Sequence, residues 1–126
     1  MDIGGTTFTS CIFNEDLKEV ISSDIGMIAD FSDKESLLEG FAHQGEQLME
    51  KSNIDISQIK GMGVSVPGPL DAGKGLILDT PNLALLQQTN LKKELESRLN
   101  IPVFIENDAN LFVWGEWRRN WLKFEK

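Results

Sequence analysis

Cysteine is almost missing from this chain: Cys11 is the only one in 126 residues. A single thiol excludes an internal disulfide and any cysteine-rich zinc centre within the sequence. Histidine is equally scarce. His43 stands alone, in a polar part of a helical segment, which assigns it to the surface rather than to catalysis. Basic residues are few, twelve against twenty acids, for a net charge of -8. The acids are spread along the chain, and such a surface repels phosphate backbones, which argues against DNA or RNA as a partner. No apolar run approaches the eighteen or more residues of a membrane helix, so no membrane partner is expected. A basic start followed by an apolar stretch is also lacking, which gives no secretion signal and leaves the cytoplasm as the default location. There is no internal repeat, low-complexity tract or linker.

What is present is an ordinary folded composition, 40% hydrophobic and 25% charged. The length supports one domain, residues 1–126, with a core of its own and no room for a second of normal size. Residues 7–13, rich in threonine and in branched or aromatic side chains, predict a strand. Asn14-Glu15-Asp16 is turn chemistry, and residues 17–28 offer a second strand, completing a hairpin. Ser32, followed three residues later by Glu35, has the form of a capping box. Behind it Leu37, Leu38, Phe41, Gly45, Leu48 and Met49 keep helical spacing, predicting a helix to about Lys51. Gly45 falls on its apolar side, a position that lets another backbone approach.

Residues 52–57 read as a loop. Residues 59–66 predict a strand with Met62, Val64 and Val66 on one face and Gly61, Gly63 and Ser65 on the other. Pro67-Gly68-Pro69 ends it. A turn at 71–75 separates two short extended pieces, with Lys74 an exposed hairpin lysine, and Pro81-Asn82 opens an irregular stretch. Leu91, Leu95 and Leu99 mark a second helix capped by Asn90. Pro102 suits only the start of a strand, which residues 103–105 supply. A third helix is expected from Asp108. A hairpin followed by alternating strands and helices predicts an α/β fold with part of its sheet parallel.

Two places carry chemistry. In open α/β sheets ligands bind beyond the carboxyl ends of strands. Asn107 and Asp108 sit there, and a carboxylate facing the next helix's positive end is favoured in its ionised form. Asp108 is thus a candidate proton acceptor, with the plain alternative that Asn107 or Asp108 merely caps the helix. The other place is the start, Asp2-Ile3-Gly4-Gly5-Thr6. Gly4-Gly5 permits a turn with φ values that other residues resist, and its N–H groups can converge on a phosphate oxygen. Thr6 adds a hydroxyl, and Asp2 a carboxylate suited to magnesium or its water shell. The pattern is neither a Walker A loop nor a dinucleotide fingerprint. An ordinary hairpin turn is the alternative.

Four segments occur in order: Asp-Ile-Gly-Gly-Thr at 2–6, Gly-Val-Ser-Val-Pro-Gly-Pro-Leu-Asp at 63–71, Thr-Pro-Asn at 80–82 and Ile-Pro-Val-Phe-Ile-Glu-Asn-Asp-Ala-Asn at 101–110. Together they make the chain resemble the amino-terminal half of the ROK family of sugar kinases and sugar-responsive repressors. The resemblance implies a ribonuclease-H-like, actin-type ATPase domain, a mixed sheet with flanking helices, as the first of two lobes. Sugar would bind in the cleft, with ATP mainly on the second lobe. On this resemblance Asp2, Gly4, Gly5 and Thr6 match the turn that meets ATP phosphates and Mg2+, with Asp2 near the magnesium. Gly68 matches a backbone position facing the sugar, and Asn82 a residue near its pocket. Asn107 matches a sugar-hydroxyl ligand and Asp108 the catalytic base.

The sequence also departs from the family. Only Met1 precedes Asp2, too little for a normal first strand of about five residues. The family's second lobe, with its histidine–cysteine zinc cluster, is expected to lie beyond residue 126, so this chain alone is expected to have little kinase activity. Thr7 stands where kinases of the family often carry lysine or asparagine. Leu85-Leu86 stands where sugar-kinase relatives often have tryptophan, which leaves sugar preference open. Leu111, Trp114, Trp117 and Trp121, spaced three or four apart, predict a buried helix face; the missing lobe or a second copy in a homodimer are its other possible covers. Arg118, Arg119 and Lys123 form a solvated helix edge. The resemblance points first to an ATP-dependent sugar kinase. A sugar-sensing regulator is the alternative, and a non-catalytic sugar-binding remnant is the third reading.

Overall fold

Branched and aromatic residues at alternating positions build the central layer of the computed structural model, which describes residues 1–108. Strand β1 (Asp2–Ile3) turns back into β2 (Thr7–Thr9), antiparallel to it, and β5 (Gly26–Met27) pairs with β2. On the other side β6 (Met62–Val66) runs parallel to β1, and β10 (Val103–Asn107) runs parallel to β6. The order is β10-β6-β1-β2-β5. The parallel strands β1, β6 and β10 therefore end at the same edge. A two-stranded sheet, β3 (Cys11–Phe13) with β4 (Glu19–Ser22), extends the hairpin. A third sheet joins β7 (Leu70–Asp71), β8 (Leu76–Ile77) and β9 (Thr89–Asn90).

One face of the central sheet is apolar. Ile3, Phe8, Val64, Val66, Val103 and Ile105 are buried there, in one core with Leu37, Leu38 and Phe41 of helix α1 (Lys34–Ser52) and Leu91, Leu95 and Leu99 of α2 (Leu91–Leu99). Burying a side chain of this kind is worth roughly 1.5–3 kcal/mol, so the leucine spacing of the helices decides which face meets the sheet. Asn90 caps α2 as expected, its Oδ1 accepting from Lys93 N at 3.0 Å. Arg98 ties the helices together, reaching Glu35 at 2.7 Å and Glu39 at 2.9 Å on α1 and Glu94 on α2. The opposite face begins with the small or polar residues Gly63 and Ser65, and Phe104 on it is 67% exposed.

Four local expectations change. The strand predicted over 7–13 breaks at Ser10 and passes from one sheet to another. Ser10 Oγ donates to Gln44 Oε1 at 2.5 Å, and Gln44 Nε2 donates to the carbonyls of Phe8 and Asp24, so a buried glutamine of α1 holds the bend. The cap of α1 is Asp33 rather than Ser32. Asp33 Oδ1 accepts from Ser36 N at 2.8 Å, and Ser36 Oγ sits 3.4 Å from Asp33 N, which moves the capping box one residue on. Gly45 faces the side chain of Leu99, not a backbone; the close approach on α1 is at Gly40, where a methyl group would stand 2.4 Å from the Phe31 ring. Finally, β1 holds its place with two residues. Main-chain bonding continues through Met1, whose carbonyl accepts from Ser65 N at 2.9 Å and whose ammonium donates to Gly63 O at 2.7 Å. Burial pushes that amine below its ordinary pKa. His43 and Lys74 are exposed, as read from the sequence. Apart from Asp108, which is helical, the predicted third helix, with Leu111, the three tryptophans and the basic residues among them, lies outside the described residues. Among the described residues no helix is long and apolar enough to cross a membrane.

Candidate active site at the carboxyl edge of the sheet

Register decides which candidate residues meet. Asp2 pairs with Ser65, and Ser65 with Glu106, so these three form a row across the sheet. Two residues further along, the strands release Gly4, Pro67 and Asp108 at a common edge. Two inter-strand spacings separate the glycine turn from Asp108, about 10 Å. Asp108 is exposed, and so are Asp2, Gly5, Thr6 and Asn82.

The glycine turn is a tight hairpin in which Gly4 N donates to Thr7 O at 2.8 Å. Neither Gly4 nor Gly5 has a positive φ, contrary to the sequence expectation, because Gly5-Thr6 closes the turn without one. A methyl group on Gly5 would stand 3.5 Å from Cβ of Asn82 and one on Gly4 3.5 Å from Thr7 O, both ordinary contacts. The fold therefore does not require glycine at either position. What the missing side chains leave is backbone open to an approaching group.

Gly68 is the opposite case. Its φ is +85°, and a methyl group on it would lie 2.5 Å from Cγ2 of Thr80. Its carbonyl accepts from Asn107 Nδ2 at 3.0 Å, so the two sugar candidates are bonded to each other. Thr80 is 3% exposed. Its carbonyl accepts from Leu83 N at 2.9 Å and its hydroxyl lies 3.4 Å from Leu83 O, which folds the 3-10 turn Pro81–Leu86 back on itself around a kink at Leu83. That fold brings Asn82 against Gly5. A continuous path of contacts thus runs from the glycine turn through Asn82, Thr80 and Gly68 to Asn107, beside Asp108.

Two members of this arrangement were not singled out from sequence. Thr80 appeared only as the first letter of Thr-Pro-Asn; its role needs Gly68 beside it, and nothing local signals that. Glu106 is half-buried, and its Oε1 accepts from Asn107 N at 2.8 Å, fixing the turn of the chain before Asp108. Its place two residues after Phe104, on the same face of the strand, was the available signal. Asp2 lies at the sheet end nearest the turn, where a cation shared with phosphate oxygens needs only one or two carboxylates. Among the described residues no cluster of three or more histidine, cysteine or acidic side chains could hold a metal.

A model of the ROK family matches residues 1–121. The chain is 31% identical over 120 residues to the xylose repressor of Caldicellulosiruptor bescii, covering 94% of this chain and 30% of that one. It is 33% identical over 116 residues to the glucokinase of Thermotoga maritima, covering 92% and 35%. A ROK family glucokinase from Streptomyces griseus, solved in complex with glucose and AMPPNP, superposes with a TM-score of 0.77 at 26% identity, covering 93% of this chain and 35% of that one. The chain spans about a third of the length of these relatives. With its mixed sheet, its flanking helices and the actin-type ATPase fold of those kinases, this chain belongs to the ROK family.

Proposed function

We propose that the chain is the amino-terminal lobe of an ATP-dependent sugar kinase, in which Asp108 accepts the proton of the sugar hydroxyl that attacks the γ-phosphoryl group. The observation that carries this reading is the meeting of Gly5 with Asn82 and of Gly68 with Asn107 at the sheet edge where exposed Asp108 leaves β10. Phosphoryl transfer to a hydroxyl depends on positioning and charge stabilisation more than on covalent help. In this reading Gly68, Asn82 and Asn107 line the sugar position, and the Gly68–Asn107 hydrogen bond holds the Asn107 amide in one orientation. The N–H groups of Gly5 and Thr6 face the phosphates, since nothing in the packing needs glycine at position 5. Asp2 faces Mg2+, which when bound offsets the charge of the phosphate oxygens. Asp108 orients the hydroxyl and takes its proton, a contribution typically of about 10²–10⁴ in rate.

The test is Asp108→Asn in a protein carrying this lobe together with a second one, with ADP release assayed across a panel of sugars. Loss of roughly two to four orders of magnitude in kcat is expected; turnover near that of the parent rejects the assignment. The 126-residue chain alone is expected to release little ADP, because the family's nucleotide site lies mainly on the second lobe. The similarity to a xylose repressor supports a second reading, a sugar-sensing regulator. Retention of both Gly4-Gly5-Thr6 and Asp108 favours the kinase, since sugar sensing needs neither a phosphate turn nor a base. Tight duplex binding by the two-lobed protein at physiological salt, without sugar-dependent ADP release, would reverse that preference.

A further inference from the structure

Strand β6 has a partner along its whole length on one side, β10, and along only part of it on the other. Towards β10 its bonding starts at Met62, whose N–H donates to Pro102 O at 2.9 Å. Towards β1 it starts at Gly63, whose carbonyl accepts from the Met1 ammonium at 2.7 Å, and continues at Ser65, whose N–H donates to Met1 O at 2.9 Å. Along a strand, alternate residues turn both main-chain groups to the same neighbour. The Gly63 N–H therefore faces the place that a residue two before Met1 would take. The opposite wall is β3. Asp2 pairs with Thr9 and Ile3 with Phe8, and this antiparallel register sets the residue just ahead of Met1 opposite Cys11. Ser10 O accepts from Ser23 N at 2.8 Å, which turns the main-chain groups of Ser10 towards β4 and those of Cys11 the other way. Two strand edges thus look at each other across a gap that begins where β1 begins.

The gap is a groove of about 700 Å³, with Met1 at its end and Leu48, Met49, Ile59, Leu99 and Ile101 among its apolar lining. Gly45 of α1 also lines it, and a methyl group there would meet only Leu99, at 4.0 Å. Met1, Met49, Ile59 and Met62 pack against the core yet stay half-buried. Met1 lies on the same face of β1 as the buried Ile3, so a residue two before Met1 would carry that apolar row on into the groove. We propose that this groove takes a strand of about three residues, the length of β3, parallel to β6, antiparallel to β3 and apolar on its inner face, and that the strand it fits is one joined to Met1 through the amino nitrogen. The joint decides between a linked strand and a separate peptide. A separate peptide has to end against a charged amine, whereas an amide nitrogen in the same place keeps the hydrogen bond to Gly63 O and carries no charge. A linked strand also gives β3 and β6, which belong to different sheets, one partner in common.

The experiment compares the 126-residue chain with the same chain preceded by Met-Thr-Ile-Thr and with the chain preceded by Met-Thr-Thr-Ile. The two extensions have one composition, but the first turns its isoleucine into the groove and the second turns it to the outer face. Urea unfolding and amide hydrogen exchange are measured on all three. The first extension is expected to raise the urea midpoint and to slow exchange at the Gly63 and Cys11 amides by roughly five- to tenfold, the scale of one hydrogen bond. The second is expected to leave the midpoint near that of the parent. Acetyl-Thr-Ile-Thr-amide, added in excess to the 126-residue chain, is expected to leave both amides unchanged. Equal gains from the two extensions would mean that the groove does not read the register of a strand, and overturn the proposal. Gly63 and Cys11 amides that exchange as fast with the first extension as without it overturn it too. Protection of those amides by the free peptide overturns the assignment to a joined strand.

Discussion

Gly68 and Gly5 stand at the same edge of the sheet and are glycine for different reasons. Gly68 has a φ of +85° and the methyl of Thr80 where its own Cβ would be. The folded chain needs it. Gly5 has no positive φ and space for a methyl group beside Asn82. The folded chain does not. A glycine explained by packing says nothing of a ligand, whereas one that packing leaves unexplained directs attention to what approaches from outside. The two positions therefore separate stability from binding within one site.

The largest effect on this contrast is expected from Gly68→Ala. A left-handed backbone with a Cβ and a 2.5 Å contact against Thr80 together cost roughly 2–4 kcal/mol, read as a fall in the urea midpoint. Next comes the coupling to Thr80. In the double variant Gly68→Ala, Thr80→Ser the obstructing methyl is gone, and about 1 kcal/mol of the loss is expected to return relative to the sum of the single changes. Simple additivity would show that the methyl is not the obstacle.

A pH series sharpens the comparison further. The Ser36 backbone N–H, then its hydroxyl, holds the Asp33 carboxyl below the ordinary carboxylate range. Lys92, then the Val103 N–H, does the same for Glu96. Because the folded values are depressed, their stabilisation is complete above the ordinary carboxylate range and is lost as pH falls through it to the depressed values. The urea midpoint is therefore expected to drop on acidification, while the gap between Gly68→Ala and its parent stays constant, since neither Thr80 nor Asn107 titrates. A gap that closes in acid would tie Gly68 to a charge. The smallest stability effect is expected at Gly5→Ala, within about 0.5 kcal/mol of the parent. In the two-lobed protein the same change is expected to weaken nucleotide binding by roughly tenfold, the scale of one charge-assisted hydrogen bond. A large loss of stability instead would make Gly5 another Gly68.

Much of the fold was legible because its signals are local. The leucine spacing of α2 and the Asn90 cap lie within one or two helical turns of each other, and both are as read. The cap of α1 was misread by one residue because Ser32 with Glu35 has the usual capping-box form, whereas the cap actually used, Asp33, is answered by Ser36 in place of a glutamate or glutamine. The break at Ser10 was not legible, since it depends on Gln44, far along the chain, reaching both Phe8 and Asp24. Gly45 was chosen over Gly40 for lying on the apolar stripe, yet the crowding came from Phe31, which no helical pattern includes. At the site, the order of the segments identified Gly68, Asn82, Asn107 and Asp108 as candidates. It could not foresee that Gly68 and Asn107 bond to each other or that Thr80 joins the two halves.

By itself the order of residues determined the two described helices, the parallel strand pattern and the family, because periodicity, caps and short motifs are properties of neighbouring positions. The tertiary structure alone decided that Asn82 rests on Gly5, that Thr80 crowds the place of a side chain on Gly68, and that Lys92 and Glu96 bond the main chain of Val103. Each of these joins residues brought together by strand register and chain reversal, and register is settled only when a whole apolar face is buried at once.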